Sequence, residues 1–238
     1  MCAFERSEKG MEFIMKKTLK IVLVAVILVA VAFSLSACGK KEESENKANG
    51  NGTQSSQDNN TQVSTDESFS RGEWNGNQYV NNFAKIKFSL PTGWEKASDE
   101  EIAKIMEIGV EQLNQDQKEL AELAKQTTVY GMVVNNPTTG ENVSVLLEKP
   151  AVKITTDTYL ETLKSQLQLV SSIKYEIGEA STTKIGNENY SVLSAKATVS
   201  DVTVGQNYYV KAEGDYIITI IVTTTADEQL NTILASFK

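Results

Sequence analysis

The run Tyr216–Val222, YIITIIV, is apolar at nearly every position. A strand that is wet on one face alternates apolar and polar residues, so this one needs cover on both faces. That single segment demands a layered fold, with this strand inside a sheet. The dipeptide Gly214-Asp215 joins it to a preceding strand, Gln206–Glu213, as a two-residue hairpin turn, and glycine at the first turn position suits the primed turn types. Across such a turn Tyr209, Lys211 and Glu213 share a face with Tyr216, Ile218 and Ile220.

Other segments fall into place around this hairpin. Tyr79–Leu90 (YVNNFAKIKFSL) predicts two short strands, the second with Ile86, Phe88 and Leu90 on one face. Strands are expected over Thr127–Val134 and Asn142–Glu148, around a turn at Asn135–Gly140. Two more are expected over Tyr175–Ala180 and Asn189–Val199. Three pairs match a capping box, in which a hydroxyl and a glutamate three residues on satisfy each other's backbone N–H groups: Ser98 with Glu101, Thr158 with Glu161, and Thr225 with Glu228. Each precedes an apolar stripe at three-four spacing. The stripes are Ile102, Ile105, Met106, Gly109 and Leu113; Leu160, Leu163, Leu167 and Val170; and Leu230, Ile233, Leu234 and Phe237. The polar patch Asn114–Gln117 bends or splits the first helix before Leu120, Leu123 and Ala124 resume its stripe. The predicted order is ββ-α-ββ-α-ββββ-α. Hairpin connections dominate it, so the fold class is α+β, an antiparallel sheet flanked by helices.

From Met15 the chain reads MKKTLK, then an uncharged apolar run Ile21–Leu35, then Ser36-Ala37-Cys38. A cationic start, an apolar stretch and small residues before a break are the parts of a secretory signal peptide. The apolar run is shorter than the roughly 20 residues that a spanning helix needs. Leu35-Ser36-Ala37-Cys38 resembles a bacterial lipobox. The resemblance implies cleavage between Ala37 and Cys38 and a diacylglycerol on the Cys38 thiol. It also implies an anchor at the extracytoplasmic face of the cell membrane. The competing reading is an uncleaved membrane anchor with an incidental cysteine. Residues 1–14 carry Glu5, Glu8 and Glu12 where a cationic region belongs, so Met15 is the expected start and 1–37 the extension plus signal peptide.

Residues 38–72 are the lipidated cysteine and a polar tether. Such a composition cannot bury enough apolar surface to offset the entropy of ordering, and it is expected to stay disordered. Asp58-Asn59-Asn60 lacks the spaced glycine and terminal glutamate of a calcium loop, so no metal is assigned there. Residues 73–238 are then long enough for one domain with its own core.

Composition narrows the chemistry. The full chain carries a formal net charge of −8. Loss of 1–37 removes five basic and three acidic residues and takes it to −10. So acidic a chain repels nucleic acid, which is excluded as a partner, and repels an anionic bilayer surface, which leaves attachment to the lipid. There is no histidine, hence no Ser-His or Cys-His nucleophile and no imidazole metal site. With Cys38 acylated, catalysis is left with carboxylates, Lys, Tyr and Ser. No cofactor is expected.

The residues Tyr79, Asn81, Phe88, Leu90, Pro91, Gly93 and Trp94 resemble the opening of PsbP-like domains and of similar bacterial lipoproteins. In these an opening strand ends in a Pro-x-Gly-Trp corner. The resemblance covers nearly all of 73–238 in element order and implies an α-β-α sandwich used as a binding or accessory module.

Candidate site residues have two readings each. Trp94 is either a stacking platform or a plug for the sheet corner, and its large apolar area favours the plug. Trp74, near the tether, is either an edge anchor or a contact residue. Tyr209 and Tyr216, with Tyr190 and Tyr208, form either a ligand-binding tyrosine face or the margin of a covered sheet. Glu100, Glu101, Asp157, Asp201 and Asp215 are candidates for an acid–base pair, although helix starts and turns already account for most of them. The leading reading is a lipid-anchored extracytoplasmic binding or accessory domain that acts on a membrane or cell-envelope protein. Its rival is a carboxylate-dependent cell-wall hydrolase.

Overall fold

The structure, a computed structural model, describes residues 69–111, 127–199 and 201–238. The leader, Cys38, the tether up to residue 68 and the Asn114–Gln117 patch lie outside these.

Three strands open the domain: β1 (Glu73–Asn75), β2 (Gln78–Asn81) and β3 (Ile86–Ser89), an antiparallel sheet in sequence order. The main sheet takes β4 (Glu95–Lys96), β5 (Thr128–Asn135), β6 (Asn142–Glu148), β7 (Lys174–Ile177), β8 (Ser181–Ile185), β9 (Glu188–Val199), β10 (Val202–Glu213) and β11 (Tyr216–Thr224). Its order is β4-β5-β6-β11-β10-β9-β7, with β8 also paired to β9, and every pairing is antiparallel. The helices are α1 (Asp99–Glu111), α2 (Thr156–Gln168) and α3 (Asp227–Leu234).

Strand β11 lies between β6 and β10, and all of its residues after Tyr216 are buried. Ile217 and Ile221 face a first core with Leu146, Leu163, Leu167 and Tyr208, which α2 covers. Ile218, Ile220 and Val222 face a second core with Tyr79, Phe88, Trp94 and Phe237, which the small sheet and α3 cover. The two-sided cover demanded by YIITIIV is thus supplied by a helix below and a sheet-plus-helix layer above. Each large apolar side chain fully buried in this way contributes roughly 1.5 to 3 kcal/mol. The last residues close the free edge of the small sheet: Ser89 N donates to Ser236 O at 2.9 Å, Lys238 N donates to Lys87 O at 2.9 Å, and the Phe88 and Phe237 rings lie 4.8 Å apart.

Turn chemistry agrees with the sequence at most places. Glu213 pairs with Tyr216 across Gly214, whose φ of 60° is the positive value the first position of a tight hairpin needs. At the Pro-x-Gly-Trp corner Gly93 has φ 82° and Trp94 N donates to Pro91 O at 3.2 Å. Ser98 and Glu101 form their reciprocal capping box, with Ser98 N donating to Glu101 Oε2 at 2.7 Å and Glu101 N to Ser98 Oγ at 3.2 Å.

Local expectations change at several places. Four strands, not two, precede α1, because β1 and β4 are too short to show a pattern. The cap of α2 is Thr155, whose hydroxyl accepts from Thr158 N at 3.1 Å, so Thr158 lies inside the helix instead of capping it. The residue before α3 is Ala226, and no side chain caps that helix. The strand expected over Tyr175–Ala180 ends at Ile177, and a separate strand, β8, follows along the same edge of β9.

Residues 69–72, assigned above to the tether, are docked on the domain. The Phe69 ring stacks on Tyr216 at 4.6 Å, and Arg71 Nε donates to Tyr130 O at 2.7 Å. The Arg71 guanidinium also pairs with Asp99 at the start of α1. A single aromatic among polar residues gives no periodicity, and its partners are far away in sequence, so only the folded chain shows the contact.

Candidate functional site

The two faces of the main sheet are not equally covered. Along β9 the side chains of Leu193, Ala195 and Ala197 point into the first core, so Ser194 and Lys196 point to the opposite face. There the second core reaches Tyr190 and Val192 of β9 and Tyr209 of β10 but stops short of Ser194 and Lys196, which are exposed. With Glu176 on β7, Gly205 and Asn207 on β10, and Asp227 and Leu230 on α3, they line a groove of about 530 Å³.

Register places these groups in two rows. Glu176 pairs with Lys196, Lys196 with Gly205, and Gly205 with Thr224, so one row crosses four strands. At about 4.8 Å per strand, Glu176 and Gly205 stand roughly 10 Å apart with Lys196 between them. In the second row Ser194 pairs with Asn207, and Ser194 Oγ donates to Asn207 Oδ1 at 2.6 Å. Asn207 is only 9% exposed. Its Nδ2 has no hydrogen-bond partner among the described residues. Gly205 clears the floor. A Cβ there would sit 3.2 Å from Thr224 Oγ1 and 4.0 Å from Asp227 Oδ1.

Electrostatics divide the groove. Lys174 Nζ lies 2.9 Å from Glu176 Oε1, and this hydrogen bond, with the charge of Lys174 behind it, holds the Glu176 carboxyl below its usual range. Lys196, inside the groove, adds a smaller pull in the same direction. Neither Lys196 nor Asp227 makes a hydrogen bond or close ion pair among the described residues. The groove therefore offers the Lys196 cation, which makes no close ion pair but acts on Glu176, an unpaired carboxylate on Asp227, and an amide donor around a floor without a side chain. No cluster of potential metal ligands occurs among the described residues.

The residues singled out from the sequence lie elsewhere. Tyr209 is 3% exposed in the second core, and burial pushes its phenol up to about 12, so it has no surface to offer a ligand. Tyr216 is half-buried, stacked on Phe69 and edge-on to Phe83 at 5.2 Å. Trp74 is half-buried on β1, with its ring 5.6 Å from Tyr79 and Lys96 Nζ 4.3 Å over its face. Trp94 is buried in the second core and plugs the corner as expected. The register does bring Tyr209, Lys211 and Glu213 opposite Ile220, Ile218 and Tyr216. Lys211 is held there by Glu188 at 2.8 Å, and Glu213 by Lys85 at 3.0 Å, so this charged strip is internally paired. Among the candidate carboxylates, Glu101 serves its cap and Asp157 lies in the first turn of α2. None of the five lines the groove.

One signal for the groove was present in the sequence. A glycine inside a strand marks a bulge or a close approach to the backbone, and Gly205 lies within β10. What a single strand does not reveal is that its neighbours on that face stay uncovered.

No helix among the described residues is long and apolar enough to cross a membrane. No family model matches the chain, and no curated protein matches it. Among solved structures the chain is similar to the solution structure of cyanobacterial PsbP (CyanoP) from Synechocystis sp. PCC 6803. Identity is 16%, over 68% of this chain and 90% of that one, with a TM-score of 0.42. It is also similar to LpqN, whose crystal structure is described as involved in cell envelope biogenesis of Mycobacterium tuberculosis. Identity there is 12%, over 64% of this chain and 77% of that one, with a TM-score of 0.36.

Proposed function

We propose that the chain is a lipid-anchored binding or accessory domain on the outer face of the cytoplasmic membrane, holding its ligand in the groove between β7, β9, β10 and α3. The groove carries this reading, because it gathers a cation, an unpaired carboxylate and an amide donor along one depression of the surface. Cys38 supplies the anchor, and the tether up to residue 68 supplies the reach. The polar composition of Gly39 to Ser68 leads one to expect a reach of roughly 30 Å, at about 5 to 6 Å times the square root of its length. The lipid then raises the effective concentration of the domain near a membrane-proximal partner.

The rival reading, a carboxylate-dependent hydrolase, draws on Glu176 and Asp227 lining one groove. Such an enzyme needs one carboxyl kept protonated, whereas Glu176 is pushed the other way by Lys174. Binding is the better fit.

Two measurements test the proposal. Cys38→Ala should release the protein from membranes or leave an uncleaved precursor, and a variant that stays lipid-anchored would overturn the anchor. Solubilised cell-wall fragments should bind the full chain without gaining new reducing ends. A rise in reducing ends that Glu176→Gln abolishes would establish the hydrolase instead.

A further inference from the structure

Taking that groove as the binding site, we propose that its ligand is a zwitterion of the amino-acid or unblocked-peptide class, seated over Gly205. Lys196 and Asn207 hold its carboxylate, and Asp227 holds its ammonium group.

The geometry assigns the ends. Lys196 stands directly across from Gly205, and Asn207 is two residues further along the same strand, on the same face. The cation of Lys196 and the unpartnered Nδ2 of Asn207 are therefore diagonal neighbours, and both are donors. Two donors on the same face, one of them charged, suit an anionic acceptor with two oxygens, and a carboxylate provides that. On the other side, Asp227 Oδ1 comes within 4.0 Å of the position a Gly205 Cβ would take. An ionised carboxylate is acceptor-only, so it wants a donor and prefers a cation.

Other occupants fit less well. A simple anion meets Asp227, and a simple cation meets Lys196. Glu176 is held mainly by Lys174 at 2.9 Å, with a smaller pull from Lys196, so Lys196 keeps its capacity for a ligand carboxylate. Asn207 gives the site its built character. It is only 9% exposed, its Oδ1 is fixed by Ser194 at 2.6 Å, and its remaining donor is left for the groove. That amide N–H₂ is a donor that a bound carboxylate can accept from. The charged groups are exposed, so binding is expected in the millimolar range, as for solvent-screened pairs.

The test is saturation-transfer NMR on the full chain in detergent, with alanyl-alanine as probe. Signal transfer to the dipeptide is expected. Blocking either end, in N-acetyl-alanyl-alanine or alanyl-alanine amide, should weaken binding by about two- to fivefold. Lys196→Met and Asp227→Asn should each weaken the free dipeptide to a similar degree, and Lys196→Arg should retain it. Lys196 and Asp227 are both exposed, so these variants are expected to fold, and an unchanged circular dichroism spectrum checks that. Equal binding of blocked and free dipeptides would overturn the proposal, as would equal binding by the variants. If the dipeptide fails while wall fragments still bind in a Lys196-dependent way, the zwitterion is wrong and the groove stands. If neither binds, the groove itself is not the site.

Discussion

Raising the pH above about 4.5 should progressively destabilise this domain, and Glu148 is the cause. The residue ends β6 with no exposed surface, and burial drives its carboxyl well above the ordinary value. Tyr159 Oη from α2 donates to Glu148 Oε2 at 2.7 Å and itself accepts from Thr219 Oγ1 of β11 at 3.1 Å. Thr128 Oγ1 of β5 faces Oε1 at 3.5 Å. These hydrogen bonds pull the value down, but desolvation outweighs them, because no cation is among the groups that act on the carboxyl.

The sign follows from the raised value. Below about pH 4.5 both folded and unfolded chains keep Glu148 protonated, and its stabilising share is complete. Above that the unfolded chain ionises first, and stability is lost at up to about 1.4 kcal/mol per pH unit until the folded carboxyl titrates as well. Glu148→Gln retains the shape and the acceptor for Tyr159 but cannot ionise, so it should flatten the slope and exceed the parent in stability at pH 8. Urea unfolding of both proteins at pH 5, 6, 7 and 8 decides the matter. A parent whose stability is level across that range would refute it, as would a variant with the same slope. The carboxyls of Asp99, Glu101, Glu176 and Glu188 are held low by their partners and act in the opposite window, losing their contribution as the pH falls from the ordinary carboxylate range through their lower folded values.

How far the sequence could be read depends on how local each determinant is. The central strand was legible because YIITIIV contains its own demand for two covers, and β11 meets it with Ile217 and Ile218 in different cores. The hairpin at Gly214 and the box of Ser98 with Glu101 were legible because every group involved lies within a few residues. Strand β8 was not, since Ser181-Thr182-Thr183-Lys184 lies at an edge with little buried and has no alternation to detect. Thr158 carries the cap signature with Glu161, but the folded helix starts a turn earlier, at Thr155, which the sequence pattern does not mark.

The groove is the extreme case. Glu176, Lys196, Asn207 and Asp227 come from four elements, and what unites them is an area that the small sheet and α3 fail to cover. Absence of cover has no local pattern. The tyrosines Tyr209 and Tyr216 drew attention for the opposite reason: they fit strands well, and a good fit to a covered sheet is what buried Tyr209.

Replacing Tyr79 with alanine should cost about 3 to 5 kcal/mol, as deletions of buried aromatic rings do. Against a total stability of about 5 to 15 kcal/mol that would leave little margin at 37 °C. Tyr79 lies at the middle of β2 with no exposure, between Trp74 of β1 and Phe88 of β3. Its hydroxyl reaches past the small sheet, donating to Arg71 O at 2.6 Å and accepting from Asn81 Nδ2 at 3.2 Å. The same oxygen lies where two glycines leave room. A Cβ on Gly72 or on Gly131 would come within 2.5 Å of it. Gly131 is the residue at which the β5–β6 register shifts, so the bulge and the tyrosine fit each other. Gly131→Ala should therefore cost about 1 to 3 kcal/mol by overpacking. The two sites must then be coupled. In a Tyr79→Phe background the 2.5 Å contact is gone, and what remains at 3.0 Å, Arg71 O and Leu147 Cδ1, asks for a much smaller adjustment. Gly131→Ala should thus be better tolerated in that background than in the parent, by about 0.5 to 3 kcal/mol in a double-mutant cycle read from urea unfolding. Strict additivity would mean that the hydroxyl and the bulge are not in contact, and the join between the two sheets would have to be sought elsewhere.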